Sequence, residues 1–182
     1  MKRVTKGNIG YIKYKRVLQS IIVAVFILAG LSLFFICKSV FGSGKNLGTV
    51  VAVLLVLPAA KALINLLLFL PFKPTDTSLY DKVQPLLSEK DLSYFDCVFT
   101  STDNLMHLDC IVVKDDEIVA YSSTGKKTDK IQKYFTESMK KQCVDVHMHI
   151  FLKEKDFLNR LQGLSSGDVS DEVKEFIRMI LV

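Results

Sequence analysis

Three aspartates, Asp96, Asp103 and Asp109, lie within or beside apolar runs in the middle of the chain. Converging carboxylates in such surroundings are what a hydrolytic site requires, and these three are the only candidates for it on the early strands. His147 and His149 stand two apart in an alternating run, so both rings project from one side of a strand. A metal held there needs a third ligand, His107 or Asp145. Alternation with an apolar side already accounts for both histidines, nothing fixes the third ligand, and no metal is expected. Ser122 and Ser123 have no Gly-x-Ser-x-Gly elbow around them. The stretch GSGK at 42–45 is not a phosphate loop: Ser39 replaces its first glycine and Asn46 the hydroxyl residue that would hold magnesium. No catalytic residue and no cofactor is assigned.

Lys61 differs from these because it interrupts an apolar run. A cation at the middle of a spanning helix costs about 2.5–3.5 kcal/mol on insertion scales. Asn65 follows one turn later on the same side, and residues 1–75 contain no carboxylate to neutralise the charge. The partner of Lys61 is therefore backbone, water, a lipid phosphate, an anion or another chain in an oligomeric bundle.

The elements that carry these residues divide sharply by composition. The chain has 182 residues, 49% hydrophobic, with 24 basic and 19 acidic side chains and a mean hydropathy of +0.29. Residues 1–77 carry ten basic groups and one acid, Asp76, for a net +9, whereas residues 78–182 carry fourteen and eighteen, for −4. The overall basic pI thus belongs to the apolar half. The polar half is mildly acidic, and nucleic acid is not an expected partner.

Residues 18–37 hold no charge, and the run 47–72 is broken only by Pro58, Lys61 and Asn65. Each is long enough to span a bilayer. The turn at 42–46 forces the two to run antiparallel, which predicts a transmembrane hairpin over 17–72, with helices at about 17–40 and 47–71. A cleaved signal peptide fits poorly, because the first run is too long and no small-residue cleavage site follows. Gly48 and Ala52 form a small-xxx-small pair suited to close helix approach. Lys2, Arg3, Lys6, Lys13, Lys15 and Arg16 precede the first run, so residues 1–16 read as a basic cytoplasmic tail, and both termini are expected in the cytoplasm of a multi-pass plasma-membrane protein. Tyr11 and Tyr14 suit the headgroup layer. Cys37, Cys97, Cys110 and Cys143 show no C-x-x-C pair and are expected as free thiols.

Residues 73–79 read as a linker and 80–182 as a cytoplasmic α+β domain. A short helix near 80–87, limited by Pro85, precedes strands at 94–100, 106–114 and 117–123, an amphipathic helix at 127–142, a strand at 144–152, a helix ending near Gly163, and a last helix with Val173, Phe176, Ile177 and Ile180 along one side. The order is a βββαβα core with a C-terminal helix, most simply a sandwich of helices on a small mixed sheet.

The segment LDCIVVKDDEIVAYSSTGKK, with the helix and strand after it, resembles the core of the restriction-endonuclease-like, PD-(D/E)xK, family over residues 94–160. In that family an Asp opening a hairpin and a Glu-x-Lys on the next strand bind magnesium and aid attack of water on a phosphodiester. Asp109 matches the Asp, with Asp96 near that position on the preceding strand. Ser122 and Thr124 stand where the Glu and Lys belong, and Lys126 and Lys127 are out of register. The resemblance implies the fold with a degenerate site. The whole chain is also similar to a group of small two-helix membrane proteins of Gram-positive anaerobic bacteria, uncharacterised in activity.

Three functions follow as expectations. The first is a non-enzymatic membrane anchor presenting a domain that binds another protein or itself. The second is a membrane-tethered, inactive nuclease-like hydrolase. The third is a channel or transporter subunit built around Lys61.

Overall fold

The computed structural model describes residues 4–41, 47–100, 105–115, 117–125, 128–141 and 146–181. The predicted turn at 42–46, Asp103 and Asp145 therefore lie outside the described residues. The chain forms two compact units: one comprises residues 12–73, and the other joins the first eleven residues to residues 74–182.

In the helical unit, α1 (Tyr11–Phe41) runs for 31 residues. It begins six residues before the apolar stretch, because Lys13, Lys15 and Arg16 are good helix formers and no breaker separates them from it. The second run is two helices, α2 (Leu47–Leu54) and α3 (Val56–Phe69). Pro58 explains the division: it has no N–H for the Leu54 carbonyl, and its ring crowds that carbonyl. The amides of Leu55 and Ala59 still bond to Val51 and Leu55, so the direction carries through the break. A Cβ added at Gly30 of α1 would lie 3.7 Å from the Ala52 carbonyl, so the two runs pack backbone to backbone there. Ala52 is the buried half of the Gly48/Ala52 pair. The Arg16 guanidinium donates to the carbonyls of Phe69 (3.0 Å), Leu70 (2.9 Å) and Phe72. These carbonyls stand at a helix C-terminus, where a cation is favoured. Both runs are long and apolar enough to cross a membrane, and only 6% of the first and 11% of the second is buried.

The other unit is built on a four-stranded sheet of order β1-β2-β3-β4, with β1 (Leu92–Thr100), β2 (Leu105–Lys114) and β3 (Glu117–Tyr121) antiparallel. β4 (Met148–Phe151) lies parallel to β3, with α5 (Thr128–Lys141) as the crossover. Ile131, Phe135 and Met139 of α5 pack on one side of the sheet together with Val173, Phe176, Ile177 and Ile180 of α7 (Asp171–Ile180). The other side is covered by Leu79 and Val83 of α4 (Thr77–Val83) and by Phe157 and Leu161 of α6 (Glu154–Gly163). This is the expected α+β arrangement, with one helix layer on each side of a mixed sheet. α4 starts three residues earlier than its predicted helix because the Asp76 carboxylate accepts from Ser78 N–H and caps it.

Residues 4–11 belong with this sheet. The Phe95 amide donates to the Gly7 carbonyl at 2.7 Å, and the Lys6 ammonium donates to the Leu181 carbonyl at 3.3 Å. Leu181 in turn bridges to Phe99 of β1. The outer edge of β1 is thus met from both ends of the chain, which shields an otherwise open row of backbone groups.

Candidate functional site

Most buried polar groups of the α+β unit, Thr75, Asp96, His107, Asp109 and Ser122, gather where two strands change phase together. On β1, Cys97 and Phe99 face the α5/α7 side, whereas Phe95 faces the α4/α6 side. On β2, Met106, Leu108, Ile111 and Val113 face α5/α7, whereas Cys110 and Val112 face away. Strict alternation would put residues 108 and 111 on opposite sides, so each strand slips by one residue. The ladder pairs Phe95 with Cys110 and Cys97 with Leu108, leaving Asp96 and Asp109 opposite each other at the slip. Asp96 absorbs it with φ +50, a left-handed conformation that Asp tolerates better than most residues.

Both carboxylates are enclosed, with Asp96 1% and Asp109 4% exposed. Backbone amides stabilise them: Thr75 N–H donates to Asp96 Oδ1 and Ser123 N–H to Asp109 Oδ2, each at 2.6 Å. The Thr75 hydroxyl donates to the Asp109 carbonyl at 2.8 Å. His107, on the same strand as Asp109, is 6% exposed; burial pushes its pKa below the ordinary value, against the opposing pull of Asp109 and Asp96. The Cys97 and Cys110 thiols are pushed well up by burial and stay protonated. Ser122 is fully buried, and its hydroxyl has no hydrogen-bond partner among the described residues.

Such a cluster has the residue types of a hydrolytic site without its access. Acid–base work requires substrate or water within hydrogen-bond reach of the carboxylate, and nucleophilic work requires a thiolate or an activated hydroxyl. Here the carboxylates already bind amides of their own chain, and the thiols are neutral. Cys110 pairs with Tyr121, which puts Ser122 next across from Asp109, so the β3 position facing that aspartate carries a hydroxyl instead of a second acid. Glu117 sits at the far end of β3 in a bidentate pair with Arg160. Among the described residues no group of three metal-binding side chains forms. His147 and His149 are both exposed about β4, while His107 is buried on β2 with β3 between.

What the cluster does hold is chain. Thr75 leads out of the helical unit and Gly7 leads into it, and the two bind adjacent residues of β1, Asp96 and Phe95. Neither Thr75 nor Gly7 carries a local sequence signal for this role. In α3, Lys61 is exposed and Asn65 half-buried, while Ala59 and Ala62 are buried.

His107 supplies a pH test. Its pKa is lower folded than unfolded, so the unfolded chain binds the extra proton as pH falls. The contribution of His107 to stability is complete above its unfolded pKa, about 6.5, and declines below it by at most about 1.4 kcal/mol per pH unit until the folded pKa is reached. Urea unfolding of the full chain in detergent between pH 7.5 and 5 should show this slope, and His107→Gln should flatten that component. Equal slopes would mean that His107 is not held neutral by burial.

No family model, no curated protein and no solved structure matches the chain.

Proposed function

We propose that the chain is a multi-pass plasma-membrane protein whose hairpin holds the α+β domain at the cytoplasmic face, where the domain binds another protein or a second copy without catalysing a reaction. The observation that carries this reading is the pairing of two unburied apolar runs with a folded unit tied to both of their connecting segments. Apolar side chains such as Leu28, Phe35, Val40 and Leu57 are more than half exposed along these helices, which water does not tolerate and a bilayer does. That residues 4–11 and 74–182 share one fold supports an even number of crossings. Basic residues ahead of α1 favour the cytoplasm for that side. The enclosed state of Asp96 and Asp109 favours binding over chemistry.

The test has two readouts. The full-length chain should stay with membranes through alkaline carbonate extraction, and a Ser43→Cys variant should react with an impermeant thiol reagent from outside intact cells. Extraction into the soluble fraction would remove the reading; labelling only after lysis would reverse its orientation. The nuclease-like reading draws support from the β1-β2-β3-α5-β4 order and the place of Asp109. Magnesium or manganese binding that is stoichiometric and lost in Asp109→Ala would favour it instead.

A further inference from the structure

We propose that the Lys61 stripe of α3 is a docking surface for a transmembrane helix of a different membrane protein that carries a carboxylate in mid-span. This rests on the membrane reading above and adds the chemistry of a partner to it. Lys61 is exposed on the helix, and so are Leu57, Ile64 and Leu68, which fall within one side of it at spacings of four, three and seven residues; Asn65 lies there too. Ala59 and Ala62 are turned inward. The exposed stripe is thus apolar knobs around one cation and one amide, the composition of a helix–helix interface with polar glue.

Depth decides against lipid phosphate as the resting partner. Lys61 lies about 12 Å along the helix from Phe69 and about 16 Å from Val50, the two ends of the apolar span. An extended lysine side chain reaches roughly 6 Å, so snorkelling leaves the ammonium several ångströms inside hydrocarbon at either end. A helix Cβ also leans toward the N-terminus, the more distant end. Sequence decides against a second copy: no Asp or Glu occurs in residues 1–75, so a second hairpin brings another cation to the stripe. Charge complementarity therefore selects an acid on a foreign spanning helix, whose own buried carboxylate is as unfavourable alone as Lys61 is.

The experiment reconstitutes the full-length, donor-labelled chain in phosphatidylcholine vesicles. Its probes are acceptor-labelled synthetic Leu/Ala helices of about 22 residues with a central Asp, Leu or Lys. Energy transfer should show the Asp helix binding about tenfold more tightly than the Leu helix. Lys61→Leu should abolish the preference, and Lys61→Asp should transfer it to the Lys helix, a swap that general loss of structure cannot produce. Equal binding of the Asp and Leu helices would overturn the proposal in favour of lipid phosphate. Lys61-dependent transfer between two labelled copies of the chain would overturn it in favour of self-association. A chain that fails to float with the vesicles would remove the membrane reading and the proposal together, an outcome distinct from the other two.

Discussion

Replacing Asp91 with alanine should lower the unfolding free energy of the α+β unit by about 3–5 kcal/mol, the loss typical of breaking a buried pair from one side. The Asp91 and Lys114 side chains are 0% and 4% exposed, with Nζ and Oδ2 3.6 Å apart. Asp91 Oδ2 also accepts from Ser88 N–H (2.8 Å) and the Ser166 hydroxyl (3.0 Å). The ammonium donates to the carbonyls of Leu86 (2.7 Å) and Leu161 (3.3 Å). One pair thus gathers the end of the short 3-10 turn Gln84–Leu86, the end of β2, the C-terminal part of α6 and the segment leading to α7. Alanine leaves a buried ammonium with two carbonyls and no counter-charge, and strands the Ser88 amide. With no tryptophan in the chain, tyrosine fluorescence or near-ultraviolet circular dichroism of the full chain in urea reads the loss. The double variant Asp91→Leu/Lys114→Met should be more stable than Asp91→Ala, because it leaves no charge unpaired. A single variant within about 1 kcal/mol of the parent, the range of an exposed pair, would mean that solvent reaches this pair.

Neither partner announces itself in the sequence. Lys114 begins Lys-Asp-Asp, which reads as a polar hairpin turn, and Asp91 lies 23 residues before it in a stretch with no periodic signal. The same contrast runs through the fold. Helix α5 was legible because Ile131, Phe135 and Met139 repeat at one helical turn among charged residues, and α7 for the same reason. The break near Pro58 follows from proline chemistry alone. The phase slip at Asp96 and Asp109 was not legible, because both sides of β2 are buried and MHLDCIVVK shows no alternation from which a slip could be read. Those aspartates stood out as candidate chemistry by residue type. What makes them amide-binding anchors is the arrival of Thr75 and Ser123, and tertiary arrivals leave no local trace. The basic N-terminal segment presented a composition suited to lipid headgroups, yet its residues 4–11 gain their place from a glycine carbonyl and a strand edge distant in sequence.

That placement yields the second large effect, at Gly7. Its φ is +80, and an added Cβ would lie 2.6 Å from Cδ1 of the Tyr94 ring, well inside contact distance. Gly7→Val therefore meets two penalties. The left-handed backbone costs an L-residue roughly 1–2 kcal/mol and a β-branched one more, and the collision must be relieved by moving Tyr94 or releasing the segment. Tyr94 is part of β1 and packs against the α5/α7 core, so the segment should yield first. Its tethers include the Phe95 amide on the Gly7 carbonyl, the Lys6 ammonium on Leu181 and the packing of Ile9 against the α4/α6 side of the sheet, fewer than those that hold a strand residue such as Tyr94. Gly7→Val should accordingly speed amide exchange at Phe95 by at least about tenfold, the equivalent of 1.4 kcal/mol, and open the Lys6–Gly7 bond to trypsin, while exchange in β3 and α7 stays unchanged. Gly10 provides the control. Its φ is +81 but no atom lies within 4 Å of an added Cβ, so Gly10→Ala carries the backbone penalty alone and should perturb Phe95 less. Equal effects of the two substitutions would show that strain, not the Tyr94 contact, governs docking. Unchanged exchange at Phe95 in Gly7→Val would show that the segment does not sit on β1.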